Sequence, residues 1–170
     1  MIEIRLINSN SFASKIIRAG MWLWTVSRGL PRMKTYGHLE IVFEMNGILM
    51  SSGATATEGG ANIRTWADYI QIYHFNHTID YISYPLLLTK NESDLLIQYL
   101  EKAEGEPYEF ENFFWHLIKI LTGKWEGSTT TRQIYCYEHG IRALLATGKY
   151  DLDIFMNPYQ FREWADENLI

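Results

Sequence analysis

The chain has 170 residues, 47% of them hydrophobic and 15% aromatic: enough to bury a core, and too few for several domains. A single cysteine excludes an intramolecular disulfide framework and thiolate-rich metal sites. A net charge of −5 leaves no overall electrostatic footprint for a nucleic-acid partner.

The start, Met1-Ile2-Glu3-Ile4-Arg5, lacks a basic segment followed by an apolar core, and the aromatic-rich stretch Ile16 to Val26 is interrupted by Arg18. That stretch is too short to span a bilayer. The expectation is a soluble, cytoplasmic protein with no integral membrane segment, of a size that suits a phage-encoded or bacterial accessory enzyme acting in the host cell.

Ile2 to Ile7 alternates apolar and polar residues as a strand does, and Asn8-Ser9-Asn10-Ser11 offers caps for a helix carrying Ile16, Ile17, Trp22 and Leu23. The charged, glycine-containing run Ser27 to Gly37 closes this unit. From His38 to Gly53 the pattern is a β-hairpin around the turn dipeptide Asn46-Gly47. Ser52 to Asn62, rich in small residues, reads as a loop, and a further strand is expected within His77 to Leu87.

Thr89-x-x-Glu92 is a capping box opening a helix with the stripe Leu95, Leu96, Tyr99, Leu100 and Ala103, ended by Gly105. A helix through Phe113 to Leu121 stops at Gly123, and Lys124 to Arg132 reads as a polar loop. A further helix runs from about Ile134 to Thr147 with Gly148 as its cap, and a last one starts near Pro158. No repeat or linker divides the chain, so residues 1–170 are expected to form one domain. Early strands and late helices suggest an α+β fold.

Cys136 falls in the first turn of its helix, where unpaired N–H groups and the dipole's positive end stabilise a thiolate. Gly140, Ala143, Leu144 and Thr147 follow it at helical spacing, a face of small residues suited to close packing on a sheet. A nucleophilic cysteine needs a base. Of His38, His74, His77, His116 and His139, the first opens a strand of the best-defined hairpin and is rigidly mounted.

With a two-residue turn, Met45 faces Ile48 and Val42 faces Ser51, so His38, Glu40, Val42, Ser51 and Gly53 share one face. Glu40 and Ser51 are then the polar neighbours available to orient the imidazole. The bland readings are a cysteine used as a small core residue and a structural histidine.

His139, one turn after Cys136, competes as base, although a solvated helix-surface histidine is the commoner outcome. His74-x-x-His77 has no evident third ligand, so no metal is expected. Trp22, Trp24, Phe113, Phe114 and Trp115 read as packing or as groove walls, and Glu109 with Glu111 as solvated surface.

Taken in order, Ser11 to Arg18, Tyr36-Gly37-His38-Leu39-Glu40-Ile41-Val42, Ser51-Ser52-Gly53, Gly105-Glu106-Pro107-Tyr108-Glu109-Phe110 and Tyr135-Cys136-Tyr137-Glu138 resemble the circularly permuted papain-like hydrolases of the NlpC superfamily. Within that superfamily the order of motifs resembles that of the YiiX-like proteins. The histidine precedes the cysteine by 98 residues, which fits the permuted order. Each motif is short, and their joint order is the specific part.

The resemblance implies a permuted papain-like α+β fold, its antiparallel sheet packed against the helix that carries the cysteine. It implies a cysteine peptidase or amidase with Cys136 as nucleophile, His38 as base, and Ser51 or Glu40 as orienting group. Tyr36, Tyr135 and Tyr137, within the motifs, are expected to line the substrate groove. The implied substrates are peptides, peptidoglycan stem peptides and lipid-linked amides or esters, with no cofactor.

Two positions depart from the family pattern. Ser51 stands where a glutamate or histidine is usual, and Tyr137 where serine commonly follows the cysteine. Two alternatives stay open: a weak or inactive papain-like binding module, and a lipid acyltransferase of the lecithin:retinol acyltransferase type, in which an amine rather than water resolves the thioester.

Overall fold

A computed structural model describes residues 1–8, 12–31, 33–34, 36–55, 57–74, 80–108, 136–154 and 156–169. Its centre is a five-stranded antiparallel sheet in the order β4-β3-β2-β1-β5, built from β1 (Ile2–Ile7), β2 (His38–Met45), β3 (Ile48–Thr55), β4 (Gly60–Thr65) and β5 (Tyr81–Pro85). The described helices are α1 (Phe12–Ser27), α2 (Trp66–His74), α3 (Lys90–Ala103), α4 (Cys136–Ala146) and α5 (Pro158–Asn168). The fold is thus α+β. The helix expected over 113–121 and the loop over 124–132 lie outside the described residues.

The hairpin follows from its turn. Asn46 and Gly47 both take positive φ, 53° and 76°, as a primed two-residue turn requires, and asparagine and glycine tolerate that region best. The register then pairs Met45 with Ile48 and Val42 with Ser51, as the turn predicts.

Alternation along β2 sends Leu39, Ile41 and Phe43 to one face. There they meet Ile4 and Leu6 of β1, Leu96 and Leu100 of α3, Ile141 and Leu144 of α4, and Phe161 of α5 in one buried core. Gly140 is what lets α4 settle on this face. A Cβ at that position would lie 2.2 Å from Leu39 Cδ2, so the side chain of residue 39 occupies the space that glycine leaves.

Caps set the helix ends. Thr89 with Glu92 opens α3 and Asn157 with Gln160 opens α5, both as complete capping boxes, with Pro158 in the first turn of α5.

Two elements differ from expectation. The stretch 52–62, expected as a loop, contributes the end of β3 and the start of β4. Its small residues serve close backbone approach. Gly60 bridges Pro107, the Ala61 amide donates to the Glu106 carbonyl at 2.9 Å, and a Cβ on Gly60 would lie 2.0 Å from that oxygen. Residues 105–108 therefore line the outer edge of β4.

The second difference is α2, a short helix for which no element was expected. Its sequence signal is Thr65-x-x-Asp68: the Asp68 amide donates to Thr65 Oγ1 at 3.1 Å, an N-cap bond.

Candidate active site

The other face of β2 is polar. Register places Ile7, Arg5 and Glu3 of β1 opposite His38, Glu40 and Val42, while Ser51 of β3 lies between Val42 and Arg64 of β4. Burying so many charges is tolerable only when each is paired.

Glu40 is fully buried and accepts from His38 Nε2 at 2.6 Å and from Arg64 Nη2 at 2.8 Å, both on Oε1. Arg64 also reaches Glu58 at 3.4 Å. Nearby, Arg5 Nε donates to Glu3 Oε1 at 2.7 Å, its guanidinium lies 4.2 Å over the Trp66 ring, and Ser83 donates to Glu3.

Cys136, at the first position of α4, is 2% exposed, and its thiol lies close enough to His38 to raise the imidazole pKa. With Nε2 held by Glu40, Nδ1 is the ring nitrogen left for the thiol. The result is one line of contacts, Cys136 to His38 to Glu40 to Arg64. Burial by itself would lower the His38 pKa, but the interactions with Cys136 and Glu40 outweigh it and raise it to about 10.

Burial would raise the Glu40 carboxyl, but Arg64 and His38 reverse this and hold it below the usual carboxylate range. An imidazolium between a carboxylate and a cysteine is therefore the favoured charge state near neutrality.

The surroundings fix the ring. Tyr69 of α2, 1% exposed, stacks on His38 with centroids 6.1 Å apart and planes 11° from parallel; Trp66 stacks on Tyr69 in turn at 5.0 Å. Gly53 leaves room for the carboxylate: a Cβ there would sit 2.2 Å from Glu40 Oε1. Burial raises the pKa of the Tyr108 hydroxyl, and the charge interaction with Cys136 adds to the rise.

Several expected site residues sit elsewhere in the scheme. Ser51 is buried, but its Oγ has no partner among the described residues, and Glu40 takes the far side of the imidazole. Tyr137 does not line a groove. It is 1% exposed, and its hydroxyl donates to the Tyr36 carbonyl at 2.8 Å, tying α4 to the residue two before His38.

Tyr36 is also buried, its ring flanked by Lys34 Nζ at 5.5 Å and Arg162 at 5.4 Å, so it too braces the fold. Tyr135 lies outside the described residues.

His139 is not a surface histidine. It is 0% exposed, Nε2 is 3.0 Å from Ser52 Oγ, and burial lowers its pKa to about 4. It is a neutral core histidine. His77, His116 and the side chain of His74 lie outside what the structure describes, as do Glu109, Glu111 and Phe113 to Trp115; among the described residues no three His, Cys, Asp or Glu gather as metal ligands.

Arg64 is the site residue that the sequence did not reveal. It falls in a run of weak strand formers, and nothing local marks it as paired with a residue 24 positions earlier.

No family model matches the chain, and no curated protein does. Among solved structures, the crystal structure of the metalloprotein YiiX from Escherichia coli O157:H7 aligns with a TM-score of 0.46 at 19% identity, covering 74% of this chain and 68% of that one. A likeness this slight carries no argument about fold or chemistry.

Proposed function

We propose that the chain is a cysteine hydrolase of the permuted papain-like type, cleaving an amide or ester through a thioester on Cys136. The observation that supports this best is the continuous contact line Cys136, His38, Glu40, with the His38 to Glu40 hydrogen bond at 2.6 Å. A core cysteine used only as filler has no need of an oriented, charged imidazole.

In this reading the Cys136 thiolate attacks the substrate carbonyl carbon, and the unpaired N–H groups at the start of α4 receive the developing oxyanion. The His38 imidazolium then gives its proton to the leaving amine or alkoxide as the carbon–heteroatom bond breaks. Water, deprotonated by His38, attacks the thioester and releases a carboxylic acid and the Cys136 thiolate, with His38 again an imidazolium. Glu40 keeps the ring in place and favours its charged form, as an orienting carboxylate does.

The substrate classes are those the resemblance implies: peptide, peptidoglycan-peptide or lipid-linked amides and esters. The alternative of a non-catalytic cleft rests on Ser51 as a weak orienting group; the Glu40 hydrogen bond to His38 favours the catalytic reading over it.

Intact-mass spectrometry with a small activated ester such as a p-nitrophenyl ester tests the reading. An acyl adduct on Cys136 is expected in the wild type, none in Cys136→Ala, and formation at least about a thousandfold slower in His38→Ala. An adduct elsewhere, or an undiminished rate in His38→Ala, would refute it.

A further inference from the structure

Helix α1 buries one face and leaves the opposite one apolar. Ser14, Met21 and Thr25 are buried, with Ile17 and Trp24 packed beside them against Tyr159 of α5. On the far side, one to four residues apart, Trp22, Leu23 and Val26 are 52%, 48% and 49% exposed. A helix apolar on both sides ordinarily has both sides covered. At 16 residues α1 is too short to span a bilayer, and no helix among the described residues is long and apolar enough to cross a membrane.

Charge identifies the surface. Between Asn8 and Gly37 the chain holds Lys15, Arg18, Arg28, Arg32 and Lys34 and no acidic residue, although its net charge is −5; Asp80 pairs with Lys34 at 2.5 Å and leaves the others in excess. Lys15 and Arg28 are exposed, near the two ends of α1. A second copy of this chain would bring two such basic runs together and is disfavoured. A sheet of anionic headgroups over an apolar interior matches both features: exposed tryptophan and leucine enter the interface while flanking lysine and arginine meet the headgroups.

Position completes the argument. Ser14 in the first turn of α1 fits against Gly37, where a Cβ would lie 1.8 Å from its Oγ, and Gly37 directly precedes His38. The first turn of α1 therefore meets the residue that precedes β2 and His38.

We infer that α1 is an interfacial helix that docks this protein on an anionic lipid bilayer through Trp22, Leu23 and Val26, with its first turn against the residue that precedes β2 and His38. The inference stands or falls independently of the chemistry at Cys136, which a water-soluble ester reports without lipid.

Co-sedimentation with vesicles tests it, using phosphatidylcholine alone and equal parts phosphatidylcholine and phosphatidylserine. The full chain should bind the mixed vesicles and lose binding as salt rises. Trp22→Ser with Leu23→Ser should weaken binding at least about tenfold with an unchanged melting curve, since both side chains are solvent-facing. Lys15→Ala and Arg28→Ala should each weaken it about fivefold.

No binding to mixed vesicles would overturn the inference. So would equal binding to phosphatidylcholine alone. A concentration-dependent dimer that the Trp22 and Leu23 substitutions abolish, without vesicle binding, would assign the face to a second copy instead.

Discussion

The two faces of β2 share a strand and almost nothing else. Leu39, Ile41 and Phe43 enter an apolar core, where shape decides what fits. His38 and Glu40, one residue away on either side of Leu39, enter a face where Glu3, Arg5, Glu40 and Arg64 are buried and every charge depends on a paired side chain, Arg5 on Glu3 along β1 and Arg64 of β4 on Glu40 of β2. The first face is tolerant, because hydrophobic neighbours can shift. The second is not, because a buried charge that loses its partner has no substitute.

The sharpest way to break this contrast is Arg64→Met, which keeps length and removes charge. Glu40 then stays buried with only His38 against it, and a loss of about 3–5 kcal/mol is expected in urea unfolding. A loss below about 1 kcal/mol would mean that the pair behaves like a surface ion pair and that Glu40 does not rely on Arg64.

Two glycines offer a matched test of smaller size, since each leaves 2.2 Å between a hypothetical Cβ and a side-chain atom, Leu39 Cδ2 for Gly140 and Glu40 Oε1 for Gly53. Gly140→Ala should cost about 1–3 kcal/mol by overpacking while His38 stays oriented. Gly53→Ala should displace the carboxylate, so that acylation of Cys136 slows more than stability falls. Equal effects of the two on acylation would erase the distinction between the faces.

The gentlest test is pH. His38, raised from 6.5 to about 10, holds its proton in the folded state; its contribution is present in full below pH 6.5 and is lost as pH climbs through 10. His139, lowered to about 4, stays neutral when folded, so stability falls as pH drops from 6.5 toward 4. Glu40, held low, adds a further loss only in acid below its ordinary 4.5.

Stability should therefore peak near pH 6.5, with limbs of up to about 1.4 kcal/mol per pH unit for each histidine. His139→Gln should flatten the acid limb between 4 and 6.5 and leave the alkaline limb alone. An unchanged acid limb would show that His139 is not the group responsible.

Much of the site was readable beforehand because local chemistry dictates it. Asn46-Gly47 sets a hairpin register, and that register puts His38, Glu40 and Ser51 on one face. Cys136 at a helix start followed by Gly140 reads as a close-packed helix, and α4 does pack on Leu39.

The choice between Ser51 and Glu40 was not readable. Both satisfy the alternation, and only the reach of each side chain within the packed sheet separates them. The same holds for β4 and α2. Gly60 and Ala61 look like loop residues because their value lies in how near the backbone of 105–108 can come, a relation with no local trace.

By itself, then, the order of residues determined the strands with strong alternation, the turn, the helix caps, a cysteine at a helix start and a histidine at a strand start, since these rest on interactions within a few positions. Tertiary structure decided which side chain holds the imidazole, that Arg64 holds Glu40, that Tyr36, Tyr137 and His139 are buried in the interior, and that α1 exposes Trp22, Leu23 and Val26. The reason is physical. Burial and charge pairing are properties of surfaces brought together by the whole chain, and no stretch of it contains them alone.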